Sequence, residues 1–144
     1  MKQFLLSLTV LALCSCSSSF RREWKEALQQ PPGSGVVGAW EGQWKSDSNG
    51  HHGRLRCVVS PAKNEQGDHS FHYHATWAGI LSGAYRAEHR VVPQKKAATF
   101  TGQHDMPSWA GGRYTYGGKI VGDEFRACYQ CSMDKGTFQM RRVR

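Results

Sequence analysis

No apolar run in this chain of 144 residues is long enough to cross a bilayer as a helix, which takes roughly twenty residues. Acidic side chains are scarce as well, 11 Asp and Glu against 19 Lys and Arg, for a net charge of +8. The basic residues are scattered (Arg54, Arg56, Arg86, Arg90, Lys95, Lys96, Arg141, Arg142, Arg144). They describe a mildly basic, solvated surface suited to anionic headgroups or polymers. No nucleic-acid-binding motif accompanies them, so no nucleic-acid partner is expected. Catalytic constellations are also missing. There is no nucleophile elbow and no phosphate-cradling glycine loop, and Glu41, Asp123, Glu124 and Asp134 fall on outer faces or turns. A non-enzymatic protein is the expectation. Leu and Ala are sparse in the body of the chain while Gly and aromatics abound, which favours strands over helices.

What the N-terminus does have is ordered. Lys2 precedes an apolar stretch from Phe4 to Leu13, broken only by Ser7 and Thr9. A charged start, a short apolar core and small residues after it read as a secretory signal peptide. Leu13-Cys14-Ser15-Cys16 then resembles the lipobox of bacterial lipoproteins, with Ser15 as the small residue before the cut. The resemblance implies a signal peptide over residues 1–15 and a diacylglyceryl thioether on Cys16, usually with a further acyl chain such as palmitate on its amine. Several chains together anchor stably where one does not. Ser17 stands where an Asp would commonly retain such a protein in the inner membrane. The implied location is therefore the cell envelope, at the outer membrane, on its periplasmic or surface face.

Residues 16–35 read as a lipidated tether and a short helix. Phe20, Trp24 and Leu28 repeat at i, i+4 and i+8, Ser19 is placed to cap the N-terminus, and Pro31-Pro32-Gly33 ends the segment. Its apolar stripe is expected to pack against the domain that follows, and the alternative is that it lies on the bilayer.

From residue 36 to 144 the pattern has period two, with turn signals at short, regular spacing. Eight strands are predicted near 37–45, 53–60, 70–78, 83–92, 96–104, 113–121, 124–132 and 137–143. Gly122-Asp123 suits a two-residue type II′ turn, pairing Ile120 with Phe125 and Tyr116 with Tyr129. Met133-Asp134-Lys135-Gly136 suits a type I turn closed by a left-handed glycine, pairing Cys131 with Phe138 and Tyr129 with Met140. Both turns put Phe125, Tyr129, Phe138 and Met140 on one face, and a turn at Pro93–Lys96 does the same for Tyr85, His89, Phe100 and His104. Such a meander closes most economically into an all-β, antiparallel, up-and-down eight-stranded barrel preceded by a short N-terminal helix.

The stretch Gly38-Ala39-Trp40-Glu41-Gly42-Gln43-Trp44 resembles the G-x-W opening strand of the calycins, the lipocalin, fatty-acid-binding and avidin barrels. That resemblance implies a basic residue of the last strand packed over the tryptophan, a role that falls to Arg142 opposite Trp40. The chain also resembles small bacterial envelope lipoprotein barrels, and the expected function is a non-enzymatic binding or scaffolding barrel at the membrane surface.

An eight-stranded lumen is either filled by side chains or holds one small ligand. The inward aromatics are numerous enough to fill it, so a packed core is expected and an open cavity is the alternative. The candidate ligand-binding residues are Trp40, Trp44, Tyr85, His89, His104, Tyr116, Tyr129 and Arg142, around a small hydrophobic or aromatic ligand. An envelope protein or polymer is the other possible partner, and no cofactor is expected. His89 and His104 are expected to hydrogen-bond a tyrosine hydroxyl or a backbone carbonyl. The alternative is a small-molecule, haem or metal carrier that uses their ring nitrogens. His72 and His74 form H-x-H on a face opposite the aromatics and read as solvated. Cys128 and Cys131, three apart on a strand, point to opposite sides and do not form a pair. Cys57 and Cys131 both face inward and a disulfide between them is the alternative, but their strands are not neighbours, so buried free thiols are expected.

Overall fold

The computed structural model describes residues 17–31, 33 and 35–144. The signal segment and Cys16 lie outside the described residues. A helix, α1, covers residues 17–29. Eight antiparallel strands follow: β1 (Gly38–Ser46), β2 (His52–Val59), β3 (Asp68–Trp77), β4 (Leu81–Gln94), β5 (Ala97–Asp105), β6 (Arg113–Val121), β7 (Glu124–Gln130) and β8 (Lys135–Arg142), with a short 3-10 turn at Ser108–Ala110. Each strand pairs with the next and β8 closes on β1, so the sheet is a closed barrel without edges. Among the described residues no helix is long and apolar enough to cross a membrane.

The expected faces hold. Trp40, Leu55, Phe71, Tyr73, Phe100 and Phe125 are all at most 1% exposed and fill the lumen. The Gly122-Asp123 hairpin pairs Ile120 with Phe125 and Tyr116 with Tyr129, as expected, with Gly122 at φ 57 as a type II′ turn requires. The last hairpin differs. Phe138 pairs with Ala127 and Met140 with Phe125, because the loop is Cys131–Asp134, closed by the Cys131 N–H donating to the Asp134 carbonyl at 2.8 Å. The register is displaced by an even number of residues, so every side chain keeps its face. Gly136 accordingly lies inside β8, where a Cβ would sit 2.7 Å from the Tyr129 hydroxyl and overlap the Lys45 carbonyl.

Helix α1 packs on the outer face of the barrel. Phe20 is 2% exposed, edge-on to His72 with centroids 5.1 Å apart, and stacked on His74 at the same separation. Glu23 accepts from Arg86 at 3.1 Å and is hydrogen-bonded to His72 Nδ1 at 2.8 Å, while the Arg56 guanidinium lies 5.1 Å over Trp24. Four expectations are corrected here. Leu28 is 47% exposed, since eight residues at 100° each carry it ~80° around from Phe20. The face turned to the barrel is buried Phe20 with half-buried Glu23, Trp24 and Ala27 instead. Ser19 lies within the helix, not at its cap. His72 is 2% exposed and His74 half-buried, neither of them solvated, because α1 covers both. Of the thiols, Cys57 is buried and free, Cys128 is exposed and Cys131 half-buried, because the early end of β7 leaves Cys131 in the loop.

The two ends of the barrel differ. At one end, Arg142 of β8 lies 4.3 Å over the Trp40 ring, as the calycin resemblance implied. Its guanidinium donates to the Val37 carbonyl at 2.9 Å, to the Gly35 carbonyl, and to Asp123 at 3.2 Å, which ties the chain entering β1 across the barrel. At the other end four loops, 47–51, 78–80, 106–112 and 131–134, surround an opening.

Candidate functional site

The opening leads into a cavity of about 330 Å³ lined by Trp44, Leu55, Ala75, Trp77, Tyr85, His104, Met106, Tyr114, Tyr116, Tyr129, Asp134 and Phe138. Alternation along the strands builds it. Trp44 stands two positions inside the mouth end of β1, Tyr85 on β4, His104 on β5, Tyr114 and Tyr116 on β6, and Tyr129 on β7. Each inward position faces its neighbour across the sheet, as Tyr116 faces Tyr129 and Trp44 faces Phe138. The rings lean on each other: Tyr114 on Tyr129 at 6.3 Å, Tyr129 on Phe138 at 5.2 Å, and Tyr85 on His104 at 5.6 Å between centroids.

Several polar atoms of this wall are tied back to the protein, leaving ring faces toward the space. The Trp44 indole N–H donates to the Thr76 carbonyl at 2.9 Å and the Tyr114 hydroxyl to the Ala110 carbonyl at 3.1 Å. Asp134 receives the Tyr129 hydroxyl at 2.8 Å and the Ser46 hydroxyl at 2.5 Å, one on each carboxylate oxygen. Burial pushes Tyr85 well above the usual phenol range, with Tyr116 adding to it, and pushes Tyr116 up to about 12. Burial also holds His104 below the usual imidazole value, partly offset by Asp105. The phenols and the His104 ring of the wall are therefore neutral at physiological pH.

Below the cavity the lumen is closed. His89 is 0% exposed, hydrogen-bonded through Nε2 to the Tyr73 hydroxyl at 3.0 Å, and enclosed by Phe71, Phe100 and Tyr116 at centroid distances of 4.5, 5.3 and 4.9 Å. Its Nδ1 has no hydrogen-bond partner and turns toward Gly102 of β5, where any Cβ would overlap it. Burial lowers its pKa to about 4, and the nearby Glu88 carbonyl, outside hydrogen-bond geometry to Nδ1, offsets only part of it.

Of the sequence-predicted residues, Trp44, Tyr85, His104, Tyr116 and Tyr129 come together around the cavity. Trp40 and Arg142 meet at the closed end, and His89 lies under the floor without lining the space. His89 has the tyrosine partner expected of it, while the other expected inward histidine, His104, reaches the cavity. Among the described residues no three metal-ligating side chains converge. Beyond apolar and aromatic wall residues such as Leu55, Ala75, Met106 and Tyr114, the sequence reading missed one acidic lining residue, Asp134. It reads as a turn aspartate, and only the four-residue form of the last loop turns its carboxylate back onto Tyr129. A wider trough of about 1020 Å³ crosses the outside of β1, β2, β7 and β8, but charged side chains such as Glu41, Arg54, Glu124 and Arg141 line it. That polar surface is open to water, so the mouth cavity is the better ligand site. No family model, no curated protein and no solved structure matches this chain.

Proposed function

We propose that this chain is a bacterial envelope lipoprotein, anchored through lipidated Cys16, whose calycin-like barrel binds a small, largely apolar ligand without converting it. The observation that carries the binding role is the cavity of about 330 Å³, walled by aromatic faces and open at one end of a closed barrel. That volume is at the small end of ligand sites and fits one aromatic or short amphiphilic molecule. Its apolar body would contact the Trp44, Tyr85 and Tyr116 rings, and a polar group would sit near Asp134 at the rim. The anchor rests on the charge, apolar core and lipobox order of residues 2–16.

A haem or metal carrier is less favoured by the same geometry. His89 is enclosed with Nε2 committed to Tyr73, so only His104 of the two inward histidines reaches the space.

The test is native mass spectrometry of the full chain expressed in a bacterial host and released gently in mild detergent, with the fluorescent probe N-phenyl-1-naphthylamine titrated in parallel. The expected result is extra mass lost on denaturation, or saturable probe binding, together with an acylated Cys16. A bare barrel that also fails to bind the probe overturns the ligand role, and an unacylated Cys16 overturns the anchor.

A further inference from the structure

We infer that the open end of the barrel faces the bilayer and docks on it, so that the cavity opens toward the lipid. This rests on the lipid anchor proposed above and adds an orientation to it. Two independent placements support it. The first is the rim. Trp77, Ile80, Leu81, Met106, Trp109 and Met133 are six of the nine large apolar side chains exposed among the described residues, and all six lie at the mouth end. Ile80 is 88% exposed and Trp109 81%. They come from three separate loops, so the barrel end as a whole is apolar, not one stray side chain.

The second placement is the tether. Helix α1 runs with residue 17 toward the mouth and residue 30 toward the closed end. Ser17 lies in a cleft with His74 and Ser82, close to where β3 and β4 meet their loop. Ala27, Leu28 and Gln30 instead border Val58, Ser60 and Pro61 at the other end. The residue the lipobox marks for acylation immediately precedes Ser17 in the sequence, so the proposed anchor joins α1 at its mouth-facing end. A tether this short holds the mouth, not the closed end, against the membrane.

Charge agrees with the placement. Arg21 near the start of α1, Lys45 at the end of β1, Arg54 at the start of β2 and Lys135 at the start of β8 are exposed around the same end. Of the acidic residues there, Asp105 is paired with Arg113 at 2.8 Å and Asp134 is turned into the barrel, which leaves exposed Asp47 of the 47–51 loop against these four cations. Cationic groups ringing an apolar tip suit an anionic lipid surface, into whose interface Trp and aliphatic side chains settle.

The test uses the acylated full chain reconstituted into phosphatidylethanolamine/phosphatidylglycerol vesicles, with lipids brominated near the headgroup as quenchers of tryptophan fluorescence. The Trp109→Phe difference isolates the signal of one rim residue, and Ile80→Asp perturbs the rim at a site too exposed to endanger the fold. The expected result is strong quenching of the Trp109 component, largely lost in Ile80→Asp. An acylated, vesicle-bound chain whose Trp109 component is not quenched overturns the docking and leaves the anchor intact. A chain with no lipid on Cys16 by mass overturns the anchor, and this orientation with it.

Discussion

His89 Nε2 and the Tyr73 hydroxyl meet at 3.0 Å in the floor of the lumen, and the second nitrogen of the same ring has no partner. Such a ring is stable there only while neutral, which is why burial takes its pKa down to about 4 from an ordinary 6.5. The unfolded chain therefore binds more protons than the folded one between those two values. The contribution is complete above pH 6.5 and is lost as pH falls toward 4, amounting to about 3 kcal/mol by pH 4. Burial depresses His72, His74 and His104 in the same direction. Urea midpoints recorded from pH 7 down to pH 4 should fall steadily. A flat profile would mean the floor admits water.

Removing one member of the pair should cost more than removing both. Tyr73→Phe leaves both His89 nitrogens buried without partners, a penalty of about 1–3 kcal/mol. Tyr73→Phe combined with His89→Phe replaces the polar pair by rings among Phe71 and Phe100, and should recover much of that loss at pH 7. It should also flatten the acid dependence. A double variant less stable than the single one would show that the pair contributes more than its own satisfaction.

These residues also mark where the sequence was readable. Side-chain direction was legible because strand parity survives a register error. The expected partner of Phe138 was Cys131 and the actual one is Ala127, yet Phe138 still points inward. Trp40 and Arg142 were found through a resemblance, and the guanidinium does lie over the indole. What parity could not give was height along the barrel axis. Trp40, His89 and Tyr85 share the inner face, but the first is at the closed end, the second in the floor and the third in the cavity wall. Height decides which of them a ligand can touch. His72 was misjudged for a different reason: its face is the outer one, and only the docking of α1, a contact across about fifty residues of chain, buries it.

Filling the cavity should abolish binding without disturbing the fold. Ala75 lines the space and is half-buried, its neighbours being Trp44 and Leu55. Ala75→Phe places a ring where the ligand's would lie, beside an opening that gives it room. N-phenyl-1-naphthylamine affinity should fall at least about tenfold, or 1.4 kcal/mol, with the urea midpoint changed little. Unaltered probe binding in this variant would place the probe somewhere other than the mouth.

Phe20 is the apolar contact that seats α1 on the barrel, since its ring covers both His72 and His74 while Leu28 faces water. The barrel closes through β1 and β8 without the helix, so losing this contact should free α1 and leave the strands paired. Phe20→Ala should therefore remove amide protection across residues 17–29 while protection in β1 and β8 persists. Burial is the main cause of the depressed His72 pKa, and the Glu23 bond opposes it. With α1 released both effects disappear, and the His72 ring should titrate near the ordinary 6.5 when followed by NMR. A His72 value unmoved by the substitution, with α1 amides still protected, would mean that Glu23 with Arg86 and Trp24 with Arg56 hold the helix on their own.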